Sequence, residues 1–98
     1  MSEQTKTVLQ ILLSKYYSVL SIQYMELPDI NADAKVGIRV LRDDLVPFIS
    51  ILHQYPNNVD YKITFDAGDP YIYINVNIAN GPIFFTIMDE LTTIGQKN

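Results

Sequence analysis

The stretch Tyr71–Ile78, "YIYINVNI", alternates without a break. Successive side chains of a β-strand point to opposite faces of the sheet. Ile72, Ile74, Val76 and Ile78 therefore share one face, and Tyr71, Tyr73, Asn75 and Asn77 the other. A strand of this kind demands a covered side for its aliphatics. Its second side is unusual, because a solvated face ordinarily carries Lys, Glu and Thr.

The flanking segments are read from the same period. "VDYKITF" precedes it across "DAGDP", and "PIFFTIM" follows it across "ANGP". Asn80-Gly81 is the preferred dipeptide of a type I′ hairpin. Placed as a two-residue loop, it pairs Ile78 with Ile83, Val76 with Phe85, and Ile74 with Ile87. A two- or four-residue loop centred on Ala67-Gly68 pairs Ile63 with Ile72, Tyr61 with Ile74, Thr64 with Tyr71 and Lys62 with Tyr73. A three-residue loop is rejected, since it turns Asn75 and Asn77 inward. The expected inner face is Tyr61, Ile63, Phe65, Ile72, Ile74, Val76, Ile78, Ile83, Phe85 and Ile87. The expected outer face is Lys62, Thr64, Tyr71, Tyr73, Asn75, Asn77, Phe84, Thr86 and Met88.

Upstream, residues 3–17 place Leu9, Leu12, Leu13 and Tyr16 on one face of a helical period, widened by Val8 and Ile11, with Ser2 as N-cap. Residues 18–27 lose that period and read as a strand. "PDINADA" supplies a turn, and "KVGIRVL" at 35–41 alternates again. "RDDLVPFISILHQYP" is a second helix with Asp43 or Asp44 as cap, Pro47 in its first turn, and Leu45, Phe48, Ile49 and Leu52 as its buried stripe. The expected fold is α+β and two-layered, in the order α-β-β-α-β-β-β. It has one antiparallel sheet of about five strands with two helices packed on one face.

The chain has 98 residues, which fits a single domain over 1–98, with 92–98 expected to fray. Folding at this size buries roughly 60–65% of the unfolded surface, enough for a core without staples. There is no cysteine, so disulfides and thiolate metal sites are excluded. Net charge is −4 from 7 basic and 11 acidic residues, and the basic ones are scattered. Nucleic-acid binding is disfavoured, because phosphate recognition needs a basic patch. The apolar runs are too short to span a bilayer, and "MSEQTK" lacks the basic and apolar regions of a signal peptide. A cytoplasmic location is expected. The wealth of Ile, Asn and Tyr beside few Ala, Gly and Arg suggests an AT-rich genome.

Few residues offer chemistry. Asp66 and Asp69 in "DAGDP" are a carboxylate pair, but Gly68, Pro70 and Asn77 occupy positions where a calcium loop needs ligands. Asp is a common turn residue, and that reading is preferred. His53 is the sole histidine, with Ser50 one turn before it, yet no orienting group or oxyanion hole is visible. Asp89-Glu90 stands alone as an acidic pair. No phosphate-binding glycine motif occurs. No catalytic residue, metal site or cofactor is therefore expected.

The tyrosine-amide face remains. Tyr, Phe and Met are enriched at protein interfaces, and charges are depleted there. The sequence reading is a small acidic, non-enzymatic protein-binding domain, an adaptor, chaperone or inhibitor that binds stoichiometrically through the outer sheet face or a sheet edge. Lys62, Tyr71, Tyr73, Asn75, Asn77, Phe84, Thr86 and Met88 are the expected contact residues. The expected partner is another protein, or a second copy in a homodimer. A phage- or virus-encoded inhibitor of a host system is one form this could take. The alternative is a small-ligand domain with a pocket between helix and sheet, contacted by Tyr61, Tyr24 or His53.

Overall fold

The computed structural model describes residues 3–28, 32–79 and 81–97. Helix α1 (Glu3–Val19) leads into strands β1 (Ser21–Glu26) and β2 (Ala34–Leu41). A 3-10 turn (Arg42–Asp44) enters helix α2 (Leu45–Leu52). Strands β3 (Val59–Thr64) and β4 (Tyr71–Ile78) follow, and helix α3 (Gly81–Lys97) is the last element described. The sheet is antiparallel and four-stranded, in the order β1-β2-β4-β3. β2 and β3 are thus parallel, with β4 inserted between them and α2 carrying the chain across.

The α+β class with one antiparallel sheet stands as expected. The last element does not. "PIFFTIM" is the first half of a helix, and its hairpin with β4 does not form. Gly81 begins α3; Asn80 lies outside the described residues. Pro82 falls in the first turn, where a missing N–H costs nothing. Phe84, Ile87, Met88, Leu91 and Thr92 recur at helical spacing, and each is at most 1% exposed. The apolar residues of Ile83–Met88 are a short run in which Ile83, Phe85 and Ile87 fit a period of two while Phe84, Ile87 and Met88 fit one of 3.6, and the buried stripe extending to Thr92 favours the helix. Residues 92–97, expected to fray, continue it. Among the described residues the sheet has four strands rather than five, and three helices rather than two cover one face.

β4 is the centre of that core. Ile72, Ile74, Val76 and Ile78 are buried beside Ala34, Val36, Ile38 and Val40 of β2. Above them lie Tyr16 and Leu20 of α1, Phe48, Ile51 and Leu52 of α2, and the buried stripe of α3. α3 packs between α1 and α2. Ile49 and Leu45 sit at the margin of this core, and Ile51 takes the deep position expected for Ile49. Ile11 is 64% exposed and does not widen the buried face of α1. Val8 and Leu9 have side chains outside the described residues, and so does the expected cap, Ser2. Asp44 occupies the N-cap position of α2 without a side-chain capping bond.

Two tyrosines pin α3 to its neighbours. The Tyr16 hydroxyl donates to Asp89 Oδ1 at 3.0 Å, and the Tyr55 hydroxyl to Glu90 Oε2 at 3.1 Å. The acidic pair Asp89-Glu90 thus receives one bond from the α1 side and one from the α2 side. Burial first, then the carboxylate beside it, raises the Tyr16 phenol well above its ordinary value, and Tyr55 shifts the same way. A phenol whose pKa is raised by folding adds stability that is complete below the unfolded value of about 10 and fades as pH rises past it.

Two outcomes are expected from these contacts. Phe84→Ala should cost about 3–5 kcal/mol in chemical denaturation, as for an emptied core position, and Thr86→Ala less than about 0.5. Comparable small effects at both sites would contradict the helix. The melting temperature should fall between about pH 10 and 12, and Tyr16→Phe should flatten that fall.

Candidate functional site: the open face of the sheet

Because the helices share one side, the other side of the sheet carries no helix among the described residues. The N-terminal helix does not cover it, since Tyr16 and Leu20 join the core opposite. The strand pairing lays the open face out in cross-strand rows. Glu26, Lys35, Asn77 and Asp60 form one row; Tyr24, Gly37, Asn75 and Lys62 the next; Ser21, Arg39, Tyr73 and Thr64 the third; and Leu41 with Tyr71 the last.

Lys62, Tyr71, Tyr73, Asn75 and Asn77 therefore stand together as the sequence implied. Phe84, Thr86 and Met88 do not. Phe84 and Met88 are wholly buried on the helical side, and Thr86 is on the exposed side of α3. They were placed on this face by the hairpin that α3 replaces.

The loop over 65–70 is longer than expected, and the register differs by two residues. Ile63 pairs with Ile74, Tyr61 with Val76, Lys62 with Asn75 and Thr64 with Tyr73. A shift of two preserves every face, so the inward and outward sets of β4 are unaffected. Phe65 leaves the sheet and is 61% exposed, not inner as expected, with the Arg42 guanidinium 5.3 Å from its ring centre.

Asp66 and Asp69 are turn residues in detail. The Asp69 N–H donates to the Asp66 carbonyl at 3.1 Å, and the Tyr71 N–H donates to the Asp69 carboxylate at 2.9 Å. Gly68 sits at φ 92°, a left-handed conformation that disfavours a side chain. Arg42 then clamps the loop, donating Nε to the Asp69 carbonyl at 2.9 Å and Nη2 to the Asp66 carbonyl at 3.0 Å.

The open face has internal structure that the sequence did not disclose. The Tyr24 ring lies over Gly37, where a Cβ would collide with Cε1 and Cδ1. Its hydroxyl crosses β2 to donate to Asn75 Oδ1 at 2.9 Å. A β-bulge between Ile22 and Tyr24 sets the ring in this position. Arg39 stacks on Tyr71, its guanidinium carbon 4.2 Å from the ring centre, and its buried Nε has no protein partner. Asn77 donates Nδ2 to Asp33 Oδ2 at 2.9 Å. Between these side chains is a shallow depression of about 240 Å³ bordered by Tyr24, Lys35, Lys62, Asn75 and Asn77. The signal for Tyr24 was present as Gly37 inside a strand, which marks a place where another group approaches the backbone.

The candidates for chemistry are engaged elsewhere. His53 Nε2 is hydrogen-bonded with the Tyr61 hydroxyl at 2.7 Å, and Ser50 donates to the Val46 carbonyl of its own helix at 2.9 Å. Ser50 and His53 thus form no nucleophile–base pair. Tyr24 and Tyr61 both border the open-face depression, whereas His53 meets Tyr61 at the β3 edge and lines the groove beside α2, so the three do not share one pocket between helix and sheet. Among the described residues no cluster of three or more His, Cys, Asp or Glu is placed to hold a metal ion, and no helix is long and apolar enough to cross a membrane. Comparison with protein-family models, curated proteins and solved structures finds no match.

A double-mutant cycle tests the Tyr24–Gly37 contact. Gly37→Ala should destabilise the native protein, because the added methyl displaces the ring. In a Tyr24→Ala background the same change should be neutral or stabilise by about 0.5–1 kcal/mol, as expected for Ala over Gly in a strand. Equal effects in both backgrounds would show that the ring does not rest there.

Proposed function

We propose that the chain is a small non-enzymatic protein-binding domain, an adaptor, chaperone or inhibitor, that engages its partner stoichiometrically through the open face of the sheet. The observation that carries this reading is the chemistry of that face. Tyr24, Asn75 and Tyr73 occupy its middle rows, Asn77 and Tyr71 the rows on either side, and no helix covers them among the described residues. Tyrosine offers a large rigid contact at low entropic cost, and asparagine a donor and an acceptor. The Tyr24–Asn75 bond and the Arg39–Tyr71 stack hold these side chains in place before any partner arrives, which lowers the cost of ordering them on binding. A non-catalytic role is supported by the structural engagement of His53, Ser50, Asp66 and Asp69.

Affinity capture from the native host tests the reading. Wild-type protein should retain a partner at one-to-one stoichiometry. A Tyr71→Lys/Tyr73→Lys variant, shown by circular dichroism to be folded, should bind it at least tenfold more weakly. Full retention by the variant, or no stoichiometric partner for the wild type, counts against the proposal.

A further inference from the structure

The two edges of the sheet differ. β1 is interrupted by the bulge between Ile22 and Tyr24, a device that turns an edge away from further pairing. β3 runs from Val59 to Thr64 with no shift in its register, and it holds no proline. Among the described residues nothing pairs with its outer side. Such an edge presents unpaired backbone donors and acceptors.

We infer that β3 pairs with β3 of a second copy, antiparallel and across a two-fold axis centred on Tyr61, to give one continuous eight-stranded sheet. The register follows from side-chain direction and charge. Val59, Tyr61 and Ile63 are half-buried on the helical side, while Asp60, Lys62 and Thr64 are exposed on the open side. Residues opposed across the axis must point to the same face if both helical layers lie on one side. The axis therefore passes through a residue position rather than between two. Centred on Asp60 it opposes two carboxylates, and centred on Lys62 two ammonium groups. Like charges directly opposite destabilise a strand pair. Centred on Tyr61 it opposes Asp60 to the partner's Lys62 and Lys62 to the partner's Asp60. The same register sets Val59 against the partner's Ile63, and Tyr61 against the partner's Tyr61. The strand is complementary to itself in this register, which selects a second copy over an unrelated segment.

The neighbouring surface supplies apolar area on the helical side. Leu45, Val46, Ile49 and Ile63 border an open groove of about 560 Å³ between α2 and β3. Val46 is 72% exposed, and Phe65, just past the end of β3, is 61% exposed. Pairing of the edges brings the second α2 toward this groove and removes apolar surface from water. The interface lies at the edge and shares Asp60 and Lys62 with the margin of the open face, but it does not use the open-face tyrosines Tyr24, Tyr71 and Tyr73.

Sedimentation equilibrium of the full chain tests the inference. The wild type should be a dimer. Lys62→Asp, which opposes carboxylates in both pairs, should weaken the dimer at least tenfold. The charge swap Asp60→Lys/Lys62→Asp should restore it, because the opposed pairs are again of unlike sign. Tyr71→Lys/Tyr73→Lys should leave the dimer intact, which separates this surface from the partner-binding face. A cross-link reads the register directly, since the chain has no cysteine of its own. Directly opposed Cα atoms lie about 4.5–5.5 Å apart, within reach of a disulfide. Tyr61→Cys should therefore oxidise to a covalent dimer, and Asp60→Cys should not. A wild-type monomer, a swap that fails to restore dimerisation, or preferential cross-linking at residue 60 would overturn the inference. So would an edge that binds an extended peptide of another protein while the chain itself stays monomeric.

Discussion

The two-fold alternation of β4 is the constraint from which this structure follows. β4 is hydrogen-bonded on both sides, to β2 and to β3, so its direction fixes the sheet. Its isoleucines and valine must be covered, and they draw all three helices to one side. Its tyrosines and asparagines are left on the other side by the same geometry. The covered face that stabilises the fold and the open face proposed for binding are thus opposite sides of one strand. A slip of one residue would exchange them, which is why the two-residue difference in the β3 pairing leaves the account of β4 intact.

The helical layer shows how much depends on α3. Its buried stripe fills the space between α1 and α2, and Asp89 and Glu90 receive the hydroxyls of Tyr16 and Tyr55. These carboxylates, isolated in the sequence, are tertiary acceptors. Asp66 and Asp69 are likewise drawn into backbone bonding, and His53 into a bond with Tyr61. The polar groups with most chemical potential in this chain serve the fold. The polar groups left on the open face belong mainly to amides, phenols and a few charged side chains, which suit recognition better than proton transfer.

The first two helices and strands β2, β3 and β4 are legible because each has a one-sided pattern, whereas β1 is marked only by the loss of the helical period after α1. The final helix is not legible in the same way. Ile83, Phe85 and Ile87 alternate over a window too short to separate a period of two from one of 3.6, and Asn80-Gly81 favoured the hairpin reading. The stripe running on through Leu91 and Thr92 carried the deciding signal, but lay in a segment read as a frayed end. The difference is local: it moves Phe84, Thr86 and Met88 off the open face and leaves the two faces of β4 as the alternation implies. Other features of the site depend on residues far apart in the chain. The Tyr24 ring over Gly37, the reach of Tyr24 to Asn75, and the grip of Arg42 on the 65–70 loop need the strand order before they can be seen. No local period encodes them.

The proposed division between a face for stability and a face for binding can be tested on the tyrosines themselves. Ring-labelled protein observed by proton–carbon NMR gives separate signals for Tyr24, Tyr71 and Tyr73 on the open face and for Tyr16 and Tyr55 among the helices. On addition of the captured partner, the first three should shift or broaden while Tyr16 and Tyr55 stay unchanged. Perturbation confined to Tyr16 or Tyr55, with the open-face signals unmoved, would contradict the account.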